Sequence, residues 1–303
     1  MKTFNYLLAA ALTLLVIGCS EEETGNNPQV YAPVTVHVND FSMSVDDFST
    51  RAEETVANYT DVGAITLAFY NSDGAQQYMT TQLRGDASTY TTFGNFSCDL
   101  PVGNYTMVVI GRGYFDGDAF TLTSPTSAGY TSERARETFV AKQDVTVTSS
   151  APLNLNVTLS RIVSSINIIS TDGRSTGVAK IRTTYAKGSK SFNPSTGFAT
   201  DDAGFVLTNT PSAAIGSPIN VSSFVFLATD EEKMNITIED RTVTVSLVNN
   251  KATQALVAKL EQAPVTVTLN SSGGFEIWGA LGFSLPTSNE QMNAQRFLKL
   301  IGK

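Results

Sequence analysis

Between residues 34 and 284 short runs in which apolar and polar side chains alternate recur along the chain, broken by Gly, Pro, Asn and Asp. Val34, Val36 and Val38 alternate with Thr35 and His37. Phe41, Met43 and Val45 then alternate with Ser42 and Ser44. A period of two gives a strand one buried and one polar face, and it is incompatible with a helix that buries a stripe. No alternation of strand and helix patterns appears, so a parallel doubly wound sheet is not expected. Only 16% of the residues are charged, and Thr, Ser, Val and Asn are abundant, which also favours β-structure. The fold class expected is all-β, built as sandwiches.

Taken in order, residues 34–45 read as a leader pair of strands. They end in the polar stretch Asp46-Asp47-Phe48-Ser49-Thr50-Arg51-Ala52-Glu53-Glu54, expected to be exposed. Val62 to Tyr70 is a strand, Asn71-Ser72-Asp73-Gly74 a tight turn supplying the positive φ a hairpin needs, and Gln76 to Leu83 the return strand. Strands follow at Thr92 to Leu100 and Asn104 to Gly111, then a Gly-, Ser- and Thr-rich excursion over 112–135. Strands at Thr138 to Val147 and Leu153 to Leu159 close this block. Arg161 marks a seam, because the strand ending at Leu159 runs almost directly into Ile162-Val163-Ser164-Ser165-Ile166-Asn167-Ile168-Ile169. Further strands are expected near 178–186, 220–228, 234–239, 242–248, 253–260, 264–269 and 275–284. This gives two sandwich domains, 34–160 and 161–286, joined by almost no linker into a stiff rod. In the tail, 287–303, Ala294, Phe297, Leu298 and Ile301 fall on one helical face after Pro286 and Ser288, which predicts a short amphipathic helix, packed back on the second domain or, alternatively, serving as a partner-docking or donor segment.

The N-terminus is of another kind. Lys2 and the apolar run Leu7 to Ile17 match a secretory signal and are too short to span a bilayer. Leu15-Val16-Ile17-Gly18-Cys19 resembles the lipobox of bacterial lipoproteins, which implies a signal peptide over 1–18 and acylation of Cys19. Glu21-Glu22-Glu23 resembles the surface-export signal of Bacteroidetes lipoproteins, and residues 19–33 read as a lipidated acidic tether. The mature chain would keep 285 of 303 residues, and its formal charge of −8 becomes −9 once Lys2 is lost. With no basic cluster, no nucleic-acid partner is expected. If Cys19 carries lipid, Cys98 has no disulfide partner.

Nothing in the sequence assembles a catalytic site. One histidine, His37, and one spare cysteine cannot make a zinc site of the usual kind. Gly111-Arg112-Gly113-Tyr114-Phe115-Asp116-Gly117 has its third glycine one place late for a dinucleotide fingerprint, and no helix pattern follows. Asp116 and Asp118 lack the other positions of a calcium loop. Asp201-Asp202 and Asp230-Glu231-Glu232 read as solvated loop charges, and Trp278 as core. No nucleophile elbow occurs. No cofactor, metal or enzymatic activity is expected.

Several segments together resemble the fimbrillin-type subunits of Bacteroidetes type V pili. They are the lipobox and acidic tether, the Arg51-Ala52 junction about thirty residues later, Val62 to Gly74, Leu100 to Val109, and the seam Val157-Thr158-Leu159-Ser160-Arg161-Ile162-Val163. The resemblance implies two tandem transthyretin-like β-sandwich domains and a role in pilus assembly or adhesion. It implies cleavage after Arg51 by an arginine-specific protease, removing the leader strands 34–51. The implied partners are other pilus subunits joined by strand addition, the outer membrane through the lipid, and a ligand on a host or bacterial surface. The competing class is a surface glycan-binding lipoprotein that does not polymerise. It shares the anchor, the tether and the tandem β-domains, and it would show coplanar exposed aromatics where a pilus subunit shows a groove covered by a removable strand.

Overall fold

The structure, a computed structural model, describes residues 29–44, 51–115, 117, 119–131, 134–173, 181–210, 212–238, 241–248, 252–257, 266–269 and 275–278. The first ten strands are β1 (Tyr31–Ser44), β2 (Arg51–Thr55), β3 (Ala64–Asn71), β4 (Gln76–Leu83), β5 (Asn95–Pro101), β6 (Gly103–Arg112), β7 (Phe120–Ser124), β8 (Ser127–Tyr130), β9 (Thr138–Val147) and β10 (Leu153–Arg161). They are followed by β11 (Ser164–Gly173), β12 (Ile181–Tyr185), β13 (Ser191–Phe192), β14 (Phe205–Asn209), β15 (Pro218–Val225), β16 (Glu231–Ile238), β17 (Arg241–Val248), β18 (Ala252–Val257), β19 (Thr266–Leu269) and β20 (Phe275–Trp278). Among the described residues the protein is all-β, as the alternation predicts. The amphipathic tail and the signal segment lie outside the described residues.

One sheet runs β2-β1-β10-β9-β6-β3-β4, with β5 also paired to β1. β10 meets β9 at Ser160–Val140 and Arg161–Phe139. At that corner the sheet folds over itself into two layers, with β1, β2, β5 and β10 on one side and β3, β4, β6 and β9 on the other. Between the layers lie Val34, Val36, Val38 and Phe41 of β1, Phe96 and Leu100 of β5, and Val157 and Leu159 of β10. Facing them are Ile65, Leu67 and Phe69 of β3, Met107 and Val109 of β6, and Phe139 and Val145 of β9.

β3 and β6 are buried on both faces, which explains why Leu67 to Tyr70 and Met107 to Ile110 read as continuous rather than alternating apolar runs. Their outer side chains Ala68, Tyr70, Val108 and Ile110 pack in a second core with Ala128 and Tyr130 of β8, Ile162, Val163, Phe192 and Phe226. The excursion at 112–135 is therefore a packing element, not a surface loop. Its hairpin β7–β8 extends onto β13. The β3–β4 turn forms as expected: Gly74 takes φ of 78°, and the Asn71 side-chain oxygen accepts from Asp73 N–H and Ala75 N–H. The remaining sheets are β15-β11-β18, β14-β12-β16-β17 and β19-β20.

A buried ion pair braces the corner. Arg161 Nε and Nη2 donate to the two carboxylate oxygens of Glu137 at 2.6 and 3.0 Å. Burial pushes the Glu137 carboxyl above its usual range, and the charge and hydrogen bonds of Arg161 oppose that shift. Removing one member of such a pair strands the other charge in the core. Glu137→Gln is expected to lower unfolding stability by ~3–5 kcal/mol. Replacing both members by Glu137→Leu with Arg161→Met should cost less, and urea titration of the three proteins checks the order.

Candidate functional site

The site is the leader strand and the groove it fills. Val34, Val36 and Val38 alternate inward, and the apolar phase then shifts by one residue before Phe41. The structure absorbs this shift in a bulge: Val38 pairs with Val157 and Asp40 with Thr158, leaving Asn39 out of the β10 register. The leader is thus a single bulged strand of fourteen residues rather than the pair of strands the phase change suggests.

β1 is paired along both flanks. It runs parallel to β10 from Val34–Leu153 to Ser42–Ser160. On its other side it is antiparallel first to β5, from Tyr31–Pro101 to His37–Asn95, and then to β2, from Asp40–Thr55 to Ser44–Arg51. Two bonds bridge the gap between β5 and β2 at the bulge. Val38 N–H donates to Gly94 O at 2.9 Å, and Val56 N–H donates to Asn39 O at 3.1 Å. Gln82 braces the Gly94 turn from β4, accepting from Gly94 N–H at 2.8 Å and donating to Asn95 O at 2.6 Å.

Phe41 is fully buried. Its ring centroid lies 4.9 Å from that of Phe139 and 5.6 Å from that of Tyr59, and these two meet edge-on at 5.4 Å. The floor is Gly111. A Cβ there would stand 2.8 Å from the Phe41 ring and 3.0 Å from Leu159. The segment after β2 is clamped to the body by Arg84. Its Nε donates to Val62 O at 2.8 Å and its Nη2 to Val56 O and Tyr59 O at 2.8 and 3.0 Å, while its guanidinium lies 4.2 Å over the Phe93 ring.

Arg51 and Ala52 do not lie in an open polar loop. They begin β2, opposite Ser44 and Met43, with the Glu53 and Glu54 side chains exposed just beyond. β2 ends the strand order of its sheet, so among the described residues no strand pairs its outer backbone edge. Cys19, Asp116 and Asp118 lie outside the described residues. Cys98, on β5 beside the leader and opposite Val34, packs against the core, and burial, aided by Asp99, pushes its thiol up to about 11. The acidic runs are not simply solvated. Glu232 is buried and accepts from Lys187 Nζ at 2.7 Å, and Asp201 accepts from Ser189 Oγ at 3.0 Å. Among the described residues no three His, Cys, Asp or Glu side chains group as metal ligands.

Gly111, Arg84 and the bulge are the parts of the site that sequence reading passed over. A glycine inside the apolar run Val108-Val109-Ile110-Gly111 is a signal of close approach. Fully burying a Val or Phe side chain is worth about 1.5–3 kcal/mol, so β1 as a whole holds on the order of 10 kcal/mol. That is comparable with the entire stability of a typical domain. Phe41→Ala is accordingly expected to cost ~3–5 kcal/mol, and Thr35→Ala, on the outward face, under about 0.5 kcal/mol. Equal losses in denaturant titration would show that the ring is not the strand's main anchor.

No curated protein matches this chain. Solved structures similar to it include a candidate adhesin from Bacteroides ovatus, at 12% identity and TM-score 0.47, covering 69% of this chain and 74% of that one. A candidate polysaccharide-binding protein from Bacteroides thetaiotaomicron is similar at 12% identity and TM-score 0.48, over 81% of this chain and 95% of that one. A fimbrial anchor protein from Porphyromonas gingivalis is similar at 11% identity and TM-score 0.41, over 68% and 78%. A model of the cyclophilin-like family matches residues 236–296. The model of a family of unknown function, DUF6562, matches residues 29–265, which takes in β1 and most of the strands above, and the chain belongs to that family.

Proposed function

We propose that the chain is a structural, non-enzymatic subunit of a cell-surface fimbrium, exported as an outer-membrane lipoprotein acylated at Cys19 and assembled by β-strand exchange after cleavage at Arg51. The observation that carries this reading is the position of β1. It is a core strand paired on both flanks, yet it is joined to the body only through the 45–50 segment and β2, and the chain is clamped again from Val56 onward by Arg84. A cut between Arg51 and Ala52 separates the lipid anchor and the whole of β1 from the body. The piece removed is also the acidic part: residues 19–51 carry Glu21, Glu22, Glu23, Asp40, Asp46 and Asp47 against Arg51.

The outer edge of β2, which no described strand pairs, suits a protease that binds its substrate as an extended strand. Loss of β1 would bare the apolar faces of β3, β6 and β9 and leave β10 and β5 with unpaired backbone groups, which is costly in water. A strand from another subunit would restore both by β-augmentation, parallel to β10 and antiparallel to β5. The glycan-binding alternative has one observation in its favour. Tyr114 and Phe115 are 37% and 42% exposed. Arg136 lies 3.9 Å over the Phe115 ring.

Two experiments test the proposal. Treating the intact protein with an arginine-specific protease should cut after Arg51, and the cut protein mixed with fellow subunits should elute as oligomers. Arg51→Ala should stay whole and monomeric. Resistance of Arg51, or a cut protein that remains monomeric beside other subunits, would refute strand exchange. Cys19→Ala should abolish palmitate labelling and release the protein from the membrane fraction, since acylation is the membrane anchor this reading assigns. A variant that still labels and sediments with membranes would refute the lipoprotein assignment.

A further inference from the structure

The groove under β1 is not uniform along its length. Its first half takes Ala32 and then the larger Val34, Val36 and Val38, one at every second residue. Its second half, entered after the bulge at Asn39, is dominated by the pocket of the fully buried Phe41 ring, with Met43 partly buried beyond it. The pocket has a floor without a side chain, Gly111, and walls of Tyr59, Phe139, Leu159 and Val62. Beneath it lies the Glu137–Arg161 pair at the corner of the sandwich, so the wall at Phe139 is fixed at the turning point of the sheet. An alternating aliphatic strand is a common pattern and selects weakly. An aromatic ring displaced by one bulge residue from that alternation is a rare one.

We infer that the Phe41 pocket is the specificity site of the groove. Its ligand is an extended strand of another protein chain that carries aliphatic side chains at three alternate positions, slips one residue in phase, and then delivers an aromatic ring onto Gly111. This rests on the reading of β1 as an exchangeable strand. It also discriminates against the chain's own best match to its leader. Ala263-Pro264-Val265-Thr266-Val267 repeats Ala32-Pro33-Val34-Thr35-Val36 residue for residue. Counted from that repeat, Ser272 falls where Phe41 stands, so a second copy of this chain fills the aliphatic half and leaves the pocket empty. The groove therefore favours a different subunit over self-polymerisation through this segment.

The test uses the intact protein cut after Arg51 and challenged with labelled synthetic peptides, with uptake read by fluorescence anisotropy and by protection of the Cys98 thiol from alkylation. A peptide of residues 29–45 should displace the resident leader. The same peptide with Phe41→Ala should bind about a hundred-fold more weakly or worse, the loss expected when a buried ring is deleted. A peptide of residues 261–277 should bind at least about ten-fold more weakly than the leader peptide. Gly111→Ala in the protein should weaken the Phe41 peptide and leave the Phe41→Ala peptide unchanged or tighter, a crossover that general destabilisation cannot produce. If Gly111→Ala does not fold, the peptide series on the unaltered protein decides alone. Uptake that ignores residue 41, or equal binding of the 261–277 peptide, overturns the pocket as the specificity site while leaving strand exchange intact. A cut protein that takes up no peptide overturns strand exchange and this inference together.

Discussion

The two-sided pairing of β1 is the constraint on which the first sandwich depends. A strand at the rim of a sheet can fray with a modest loss, because one flank is solvated already. β1 has no solvated flank: β10 lies along one side, and β5 followed by β2 along the other. It also contributes Val34, Val36, Val38 and Phe41 to the core between the layers. Hydrogen bonding and burial therefore fail together if the strand leaves: among the described residues β5 pairs no other strand, and β10 pairs otherwise only with β9 at its end. The sandwich is complete only as long as some strand with this pattern occupies the place.

The opposite layer is organised differently. β3 and β6 bury both faces, so they cannot be exchanged without opening two cores at once. Ala68 and Val108 face the β7–β8 excursion and Phe226, while Leu67 and Val109 face the leader. The corner at Ser160 and Arg161 joins this fixed layer to the layer that holds β1, and Glu137 neutralises the arginine where the chain turns from one to the other. One layer is thus permanent and the other carries the strand whose covalent tie is a single segment.

The strands were legible wherever one face was wet and the other dry. Val34 to Val38 and Leu153 to Leu159 show the alternation, Gln76 to Leu83 follows from the tight turn before it, and the structure places strands over each. β7, β8, β13 and β14 escaped because they are two to five residues long: β7 and β14 alternate over too few positions to register as a period, and β8 and β13 pack through isolated rings such as Tyr130 and Phe192. The phase change after Val38 was visible, but a change of phase is equally the mark of a turn between two strands. Only the continuous register on β10 shows that it is a bulge. Arg161 was legible as a seam because it interrupts two apolar runs. Its partner Glu137 was not, since the two are brought together by the β9–β10 corner, a contact no local pattern encodes. The same holds for Glu232, whose carboxylate in an acidic run looks solvated until Lys187 is seen beside it.

The energetics of β1 bear on the order of events in exchange. A cut after Arg51 removes no side chain from the core and breaks no strand pairing of β10 or β5, so the cut leader remains held by the same contacts as before. What changes is the reference state. While the chain is continuous, a leader that slips out is returned at the high effective concentration set by a short tether; after the cut, return is bimolecular and depends on dilution. The hold of the leader therefore passes from a nearly concentration-independent stability to an affinity. Strand pairing can be surrendered pair by pair from one end, with an incoming strand taking each vacated partner, so the full cost of an empty groove need never be met at one time. The bulge divides this progress into two stages, because a strand paired along β5 must still shift one residue in phase to reach the pocket under Phe41. An incoming strand that matches only the first stage can open the aliphatic half of the groove, but the resident ring keeps its place on Gly111 and closes the groove again.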